Sequence, residues 1–293
     1  MSKISQAAEF LINNRRLDQV ADTLPPELQP TNWEEAYATQ QVLVDQLVAE
    51  HGGQLVGYKI AATNPVAQEM LGVDGPLFGR LLSAFVHAAP VELPANDFQT
   101  RVLEPEYAFQ MKEDVPTDGQ GFTAESIASY VAGVLPSIEI VNHHFTNLKQ
   151  AGGMVLVCDK AVHGAWLHGE AHKSWTDLDM INTEIQLLAN GQLDSTGNGT
   201  NVLEHPLNAL AWLANELPKF GLQLSAGDYV TTGLTTEVYA ATAGDQVTAD
   251  FGSLGSVYLK FSREEVAERA ASTTCHMVAP FLLCHVRHVN SST

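Results

Sequence analysis

The N-terminal part of the chain alternates apolar and polar positions with the period of an α-helix. Apolar residues recur three or four positions apart in "SQAAEFLINNRRLDQVADTL" (5–24) and "NWEEAYATQQVLVDQLVAEHG" (32–52), which predicts two amphipathic helices. Asn32, or the threonine before it, is a suitable N-cap for the second helix, and a Gly-Gly pair is a suitable end. The pattern then predicts a short strand, "QLVGYKIA" (54–61), and a helix or turn through "NPVAQEMLGVDGP" (64–76).

Further along the chain the pattern changes to short β-type segments separated by Gly, Pro and Asp. "TAESIASYVAGVLP" (123–136) predicts a helix that leads into an apolar strand, "SIEIVN" (137–142). "PLNALAWLANELPKFG" (206–221) predicts an amphipathic helix, whereas "DYVTTGL" (228–234) and "DQVTADFGSLGSVYLKFS" (245–262) predict strands. Few helices among many short strands predict an α+β fold with a β-rich core rather than an alternating βαβ fold.

Composition and charge exclude several classes of protein. The chain of 293 residues is 45% hydrophobic and 17% charged, as expected of a globular protein. Its 15 Lys and Arg against 34 Asp and Glu give a formal net charge of −19, which argues against nucleic acid and anionic membranes as partners. The sequence lacks an apolar stretch of membrane-spanning length and the apolar core of a signal peptide. Its three cysteines do not form a disulfide framework, so a cytoplasmic location is expected.

Two acidic residues stand out in "RVLEPEYAFQMKED" (101–114), which otherwise has the composition of a strand. Glu104 and Glu106 are two positions apart, so a strand directs both carboxylates to the same face. A divalent metal ion, or protonation of one carboxyl, relieves their repulsion, and the alternative is a solvated strand face. Pro105 between them has no N–H for the ladder, which fits an edge strand or a bulge.

A third carboxylate, Glu139, lies alone between Ile138 and Ile140 in an apolar strand. A charged residue in such a position is seldom buried without a partner, so Glu139 is the best candidate for a third metal ligand. The alternative is a strand-end position from which its carboxylate reaches solvent. Carboxylate oxygens suit hard cations such as Mg²⁺ or Mn²⁺, and a set of three leaves coordination positions open for a substrate.

Other polar residues carry weaker signals. Lys59 is the lone cation of an apolar strand, which suits either an acid/base group or a salt-bridge partner. His143 and His144 are adjacent, so at most one of them points into a given site if they lie in a strand. The run "TTGLTT" (231–236) offers hydroxyls and amides to an anion, although threonine is also common in strands for its β-propensity.

Several stretches together resemble the 2-keto-4-pentenoate hydratase / 4-oxalocrotonate decarboxylase family, within the fumarylacetoacetate hydrolase superfamily. The matching stretches are "GYKIAATNPVAQEMLGVDGPLFGRL", "RVLEPEYAFQM", "LPSIEIVN", "HPLNALAWLAN" and "LSAGDYVTTGL" with "GDQVTADFGSLGSV". They occur in the family's order across roughly residues 1–262. The resemblance implies the family's mixed β-roll core with an N-terminal helical region. It also implies a homo-oligomer and allows a complex with a neighbouring enzyme of the same pathway.

The resemblance further implies roles for individual residues. These are metal ligands at Glu104, Glu106 and Glu139, acid/base groups at Lys59 and Asp74, and substrate contacts at Asp159, Thr232 and Gly233. Two motifs depart from the family pattern. Asn142-His143-His144 stands where many relatives have Asp-Ser-Arg, and Lys160 and Val162 replace an asparagine and a serine after the retained aspartate. Because these positions lie near the pocket in the family, the exact substrate stays open.

Three regions follow from these patterns. Residues 1–85 are predicted to form an N-terminal helical region packed on the core, and residues 86–262 a β-rich, metal-binding catalytic core. The segment 263–293 lacks a clear period after a short helix-like stretch and is predicted to be an appended tail. Cys275 and Cys284 lie there beside histidines, but their spacing matches no standard zinc finger.

The activity that the resemblance implies is hydration of a small 2-hydroxy-dienoate or 2-oxo-alkenoate to a 4-hydroxy-2-oxo acid, as in meta-cleavage catabolism of aromatic compounds. Lys59 and Asp74 would move the protons, and a lysine in a partly desolvated site is expected to have a lowered pKa. The same metal-stabilised enolate serves a 4-oxalocrotonate-type decarboxylase of 2-oxo-enedioates and an acylpyruvate C–C hydrolase, which remain alternatives. A catalytically silent partner subunit is the alternative from a different class.

Overall fold

Two mixed β-sheets form the centre of the protein in a computed structural model that describes residues 1–119 and 121–263. The predicted tail, apart from Arg263, lies outside the described residues, and so do Cys275 and Cys284. Parallel and antiparallel pairs occur in both sheets, and helices accompany them. The predicted α+β class is therefore confirmed.

The larger sheet has eight strands and the smaller has five. Seven strands of the larger sheet lie in the order β2 (Leu77–Leu82), β1 (Leu55–Ala61), β10 (Tyr229–Thr231), β5 (Val102–Met111), β6 (Val131–Val141), β7 (His163–His168) and β3 (Val86–Ala88), and β11 (Tyr239–Ala240) pairs with β5. The smaller sheet has the order β4 (Val91–Leu93), β13 (Ser256–Phe261), β12 (Gln246–Asp250), β8 (Ile185–Ala189) and β9 (Gln192–Gly197). Strands β1 and β2 come from the predicted N-terminal region, which therefore supplies strands as well as helices to the core.

The helices predicted over 32–52 and 206–221 begin and end close to the predicted positions, whereas the helix predicted over 5–24 ends at Leu17. The α-helices are α1 (Lys3–Leu17), α2 (Trp33–His51), α3 (Pro65–Leu71), α4 (Ala124–Ile127), α5 (Leu148–Ala151), α6 (Gly153–Cys158) and α7 (Pro206–Glu216). At the start of α2, the Asn32 side chain accepts a hydrogen bond from the Glu35 N–H at 2.8 Å, as an N-cap does. Gly52 ends this helix with a φ of 73°, a conformation that glycine adopts without a Cβ clash. None of the helices in the described part of the chain is long and apolar enough to cross a membrane.

The helix predicted over 123–136 is wrong from residue 131 onward. Only α4 and one following 3₁₀ turn are helical, and β6 begins at Val131. β6 pairs with β5 along its whole length, and almost every residue of β6 is buried. A strand buried on both faces has a continuous apolar run, which cannot be distinguished from a buried helix by periodicity alone.

Pro105 does not lie in an edge strand, because β5 is an interior strand between β10 and β6. β10 pairs with β5 only at residues 108–110 and β11 only at residues 102–103, which leaves a gap in the ladder beside Pro105. The Thr235 N–H and hydroxyl both donate to the Pro105 carbonyl across this gap, at 2.9 and 2.7 Å. In a strand, the N–H and C=O of one residue point to the same side. The side of Pro105 that lacks an N–H therefore faces this gap, where the ladder is already interrupted.

Along β1 and β2, successive side chains point to opposite faces of the sheet, and the two faces have different surroundings. Ile60 and Phe78 are register partners on one face, where Phe78 stacks on Tyr37 of α2 with a ring-centroid distance of 4.0 Å. Lys59 and Gly79 are partners on the opposite face. The helices therefore cover the face that bears Phe78, and the side chain of Lys59 is left on the other face of the sheet.

Candidate metal centre

Three glutamates converge on one face of the larger sheet. Glu104 of β5 is the register partner of Glu139 of β6, and Glu106 lies two residues further along β5 on the same face. One carboxylate oxygen from each residue lies within 4.8 Å of the others. Glu106 and Glu139 are fully buried and Glu104 is partly exposed, so the group opens toward solvent on the Glu104 side.

Each buried carboxylate has one oxygen held by the protein and one without a partner. Glu106 Oε2 accepts a hydrogen bond from the Gly233 N–H at 3.0 Å. Glu139 Oε1 lies 3.1 Å from the Lys59 ammonium and 2.9 Å from Nδ1 of His163. Glu106 Oε1 and Glu139 Oε2 are buried and make no hydrogen bond. Buried polar atoms are seldom left unpartnered, and two such oxygens in one cluster are what a bound cation requires.

The charges of the cluster also fit a divalent cation. Burial and the charge of Glu139 raise the pKa of Glu104 to about 7, and the same causes hold the pKa of Glu106 well above its ordinary value. Burial has the same effect on Glu139, but Lys59 and His163 outweigh it and lower the pKa of this carboxyl. One ammonium thus compensates one of three carboxylates, and an ion of charge +2 would compensate the other two in their ionised form.

The expected lowering of the pKa of Lys59 is wrong for this arrangement. Burial does lower the pKa of Lys59, which is 1% exposed, but the charges of Glu139, Glu104 and Glu106 outweigh burial and raise it. The reason is electrostatic: an ammonium among carboxylates is stabilised in its charged form. A cation held by the same carboxylates would offset their charge and so reduce their effect on the pKa of Lys59.

Sequence reasoning did not single out His163 and Lys160 as site residues. Both are fully buried, and burial lowers the pKa of His163 to about 4, which leaves its imidazole neutral at neutral pH. Lys160 Nζ donates to the His163 carbonyl at 2.9 Å, and burial lowers the pKa of this amine to about 7. The signal that identified Glu139, a polar residue beside apolar neighbours, also marks His163 at the start of "HGAWLH" (163–168).

The turn before β7 is left-handed over three consecutive residues. Lys160, Ala161 and Val162 have φ values of 57°, 49° and 58°, a conformation that costs about 1–2 kcal/mol per residue. A Cβ on Gly79 would lie 2.1 Å from the Lys160 carbonyl oxygen, so only glycine at position 79 leaves room for this turn. The surrounding structure therefore holds a strained turn against the strand pair that carries Lys59.

The threonine run hydrogen-bonds chiefly to β5. Thr232 donates from its hydroxyl to the Tyr107 carbonyl at 2.8 Å, as Thr235 does to Pro105. The Gly233 N–H is the donor that holds Glu106. These contacts place residues 232–233 directly beside the carboxylate cluster, where the Thr232 hydroxyl donates to β5 and the Gly233 N–H donates to Glu106.

Asp159 lies in a buried ion pair with Arg15 of α1. Its Oδ1 accepts hydrogen bonds from Nε and Nη2 of Arg15 at 3.0 and 2.7 Å, and the Asp159 side chain is 2% exposed. The pair joins the N-terminal helix to the strained turn, since Lys160 follows Asp159 directly. The structure thus places Asp159 against Arg15, and none of its described contacts is with the three glutamates.

We expect Arg15→Met to lower the free energy of unfolding by about 3–5 kcal/mol, because it leaves the buried Asp159 carboxylate without a counter-ion. Arg16→Met is the matched control, because Arg16 pairs with Glu50 at the surface and is half exposed, and it should change stability little. Urea denaturation of the two variants measures the difference. Equal stabilities would show that the Arg15–Asp159 pair does not stabilise the fold.

Asp74 lies elsewhere, in the loop between α3 and β2, where its side chain is exposed. It lines a cavity of about 390 Å³ together with aromatic residues that include Trp33, Tyr37 and Trp212. Tyr37 packs on the face of the sheet that bears Phe78, and none of the three glutamates lines this cavity. The structure therefore brings Lys59 to the carboxylates and places Asp74 apart from them.

His143 and His144 follow the end of β6 and do not lie in a strand. His143 Nδ1 accepts a hydrogen bond from the Phe145 N–H at 3.3 Å, and His144 Nε2 lies 3.7 Å from a carboxylate oxygen of Asp18. Burial lowers the pKa of both. Neither belongs to the carboxylate cluster among the described residues.

Fold and site together define a mixed β-sheet protein with a three-carboxylate centre suited to a divalent cation. The chain belongs to the fumarylacetoacetate hydrolase family, because the family model described as "Fumarylacetoacetate (FAA) hydrolase C-terminal" matches residues 63–261. The family expected from the sequence is confirmed.

Curated relatives lie within the expected branch of this family. A 2-keto-4-pentenoate hydratase of Paraburkholderia phymatum is 34% identical over 227 residues, which are 78% of this chain and 85% of the relative. A 2-hydroxyhexa-2,4-dienoate hydratase of Comamonas testosteroni is 32% identical over 213 residues, or 72% of this chain and 80% of the relative. Among solved structures, 4-oxalocrotonate decarboxylase from Pseudomonas putida G7, complexed with magnesium and adipate, superposes with a TM-score of 0.81. The two sequences are 24% identical, and the match covers 88% of this chain and 97% of the decarboxylase chain. The shared fold confirms the expected architecture.

Proposed function

We propose that this protein is a divalent-metal-dependent hydratase that adds water to a 2-hydroxy-dienoate or 2-oxo-alkenoate and produces a 4-hydroxy-2-oxo acid. The observation that carries the proposal is the convergence of Glu104, Glu106 and Glu139 within 4.8 Å beside the buried Lys59. The hydratase names of relatives that are 34% and 32% identical support the choice of reaction.

The three glutamates would hold the ion, and Mg²⁺ or Mn²⁺ is the proposed choice because hard carboxylate oxygens suit both. Such an ion supplies Lewis-acid stabilisation of negative charge on the 2-oxo group. Gly233 orients Glu106 by donating to Oε2, which leaves Oε1 free for the ion. In the same way Lys59 and His163 hold Oε1 of Glu139 and leave Oε2 free.

Lys59 is the proposed acid/base group of the reaction. Its Nζ is buried among the carboxylates and carries a proton in the resting arrangement, since the pKa is raised. It can therefore donate this proton to a carbon or oxygen atom of a substrate bound at the partly exposed side of the cluster. The burial of the cluster excludes bulk water from this proton, which favours transfer to the substrate.

The remaining assignments rest on the family resemblance. In the proposal, Asp74 is the second acid/base group, and Asp159, Thr232 and Gly233 contact the substrate. The position of residues 232–233 beside Glu106 supports the proposed substrate contacts of Thr232 and Gly233. The exposure of Asp74 and the ion pair of Asp159 give no such support. A homo-oligomer in the cytoplasm is proposed on the resemblance and the low cysteine content.

The experiment that tests the function uses two substrates and two ions. With Mg²⁺ or Mn²⁺ present, we expect the ultraviolet band of 2-hydroxypenta-2,4-dienoate to disappear without release of CO₂. An ion at about 100 times its Kd should also add about 2.7 kcal/mol to the free energy of unfolding, measured as a rise in Tm. Release of CO₂ from 2-oxohex-3-enedioate without hydration of the dienoate would replace the hydratase by a decarboxylase. If neither ion changes the Tm or the turnover, the metal centre is refuted.

A further inference from the structure

His163 is brought to the metal centre by a β-bulge. In β7, Trp166 is the register partner of Glu139 and lies on its face, so regular alternation would put residue 163 on the opposite face. The register between β6 and β7 shifts between Ile140 and Val141, and His163 becomes the partner of Val141. Val141 is two residues from Glu139 and shares its face, so the shift turns the imidazole toward the carboxylates.

Gly164 makes this bulge possible. A Cβ on Gly164 would lie 2.6 Å from the Cβ of Asn142 and 2.7 Å from the Ile140 carbonyl oxygen, distances that no side chain tolerates. The left-handed turn at residues 160–162 leads directly into the same place. Two unusual backbone features therefore meet at His163, and both serve to put its ring on the side of Glu139.

The contact that results is specific. His163 is fully buried, and its Nδ1 lies 2.9 Å from Oε1 of Glu139, the oxygen that Lys59 also contacts at 3.1 Å. An ionised carboxylate only accepts, so Nδ1 carries the proton and donates. His163 Nε2 is buried without a hydrogen-bond partner, so the bond to Glu139 is the only side-chain hydrogen bond of this ring among the described residues.

We propose that His163 is a positioning residue of the metal centre: it donates from Nδ1 to Oε1 of Glu139 and so keeps Oε2 directed at the ion. With this second donor in place, Glu139 stays oriented when the Lys59 ammonium leaves the same oxygen to transfer its proton. Hydrogen bonds to ligating carboxylates tune metal affinity in this way. The inference rests on the metal centre of the proposed function.

Three substitutions at His163 test the inference. His163→Asn keeps an N–H donor near the position of Nδ1, His163→Gln moves the donor to the position of Nε2, and His163→Leu removes it. Binding of Mn²⁺ to the metal-free protein is measured by the loss of the electron paramagnetic resonance signal of free Mn²⁺. We expect the Leu and Gln variants to bind Mn²⁺ about 10–100-fold more weakly than the wild type, and the Asn variant to retain most of the affinity.

The matched control is His168 of the same strand, whose Nδ1 contacts the Gly169 carbonyl and whose ring stacks on Tyr229 and packs at a tilt against Trp166. His168→Leu should leave the affinity for Mn²⁺ unchanged. Wild-type affinity in His163→Gln or His163→Leu would overturn the inference, as would equal losses in His163→Asn and His163→Gln. If His163→Leu does not fold, the Mn²⁺ affinities of His163→Asn and His163→Gln are compared instead, and they decide whether the Nδ1 donor is needed. Failure of the wild type itself to bind Mn²⁺ would instead refute the metal centre.

Discussion

Glu106→Gln is expected to abolish turnover of 2-hydroxypenta-2,4-dienoate and to weaken Mn²⁺ binding by more than about 100-fold, since loss of a ligand exceeds the 10–100-fold effect of losing a partner of a ligand. The amide matches the carboxylate in shape, so it keeps the Gly233 N–H as a neighbour. What it removes is the negative charge that the carboxylate would present to a bound ion through Oε1, a buried oxygen without a hydrogen-bond partner. Calorimetric titration with Mn²⁺ and the ultraviolet assay measure both effects.

The same variant should be more stable than the wild type when no metal is present. Burial holds the pKa of Glu106 well above the ordinary value of 4.5, so the folded protein disfavours the charged form. The wild type therefore loses stability as the pH rises from about 4.5 toward this raised pKa, whereas the neutral amide does not. Glu113→Gln, an exposed change just after β5, is the control that should leave Tm and activity unchanged. Retained turnover in Glu106→Gln would reject Glu106 as a ligand.

Lys59→Met is expected to lower turnover by about 10²–10⁴-fold while the protein still binds Mn²⁺. Methionine fills a similar volume but cannot carry a proton. The substitution removes the ammonium charge and leaves the three glutamates, the proposed ligands of the ion, in place. Lys160→Met is the matched control, because Lys160 is equally buried and its Nζ donates to a backbone carbonyl rather than to a carboxylate. The two variants are compared in the ultraviolet assay at saturating Mn²⁺. Equal losses in both would show that Lys59 is not the specific acid/base group.

Stability provides a second measurement on Lys59→Met. Without metal, the variant leaves Glu139 as a buried carboxylate with only a neutral imidazole as its partner, and removal of one member of a buried ion pair costs about 3–5 kcal/mol. Saturating Mn²⁺ should restore most of this loss, because the ion takes over the compensation of the carboxylates. A variant that is destabilised to the same extent with and without Mn²⁺ would contradict this account of the cluster.

The three glutamates of the cluster were predictable as candidate ligands because each of them breaks a local pattern. Glu104 and Glu106 share a face through the two-residue period of a strand, and Glu139 is the charged residue of an apolar run. Their register, with Glu104 opposite Glu139, then places the carboxylates together. The helix predicted over 123–136 was wrong from residue 131 onward for a different reason: the apolar run of β6 comes from burial on both faces, which periodicity alone cannot distinguish from a buried helix.

Contacts between distant residues were not predictable in the same way. Arg15 and Asp159 are separated by 144 positions, and nothing near either of them in the sequence indicates the pair. His163 reaches Glu139 only because a bulge at Gly164 reverses the alternation of β7. A shift of one residue in register exchanges the two faces of a strand, so the position of His163 depends on how β6 and β7 pair.

The sequence by itself determined the α+β class, the longer helices, the family and the residues most suited to bind a cation, because these depend on local periodicity and on the chemistry of single side chains. Only the tertiary structure decided which oxygen of Glu106 and of Glu139 is held by the protein and which is free. It also decided that the pKa of Lys59 rises, that Pro105 lies beside a gap in an interior strand, and that Asp74 lies apart from the glutamates. These properties depend on strand register, on burial and on the distances between charges, which arise only when segments far apart in the chain pack together.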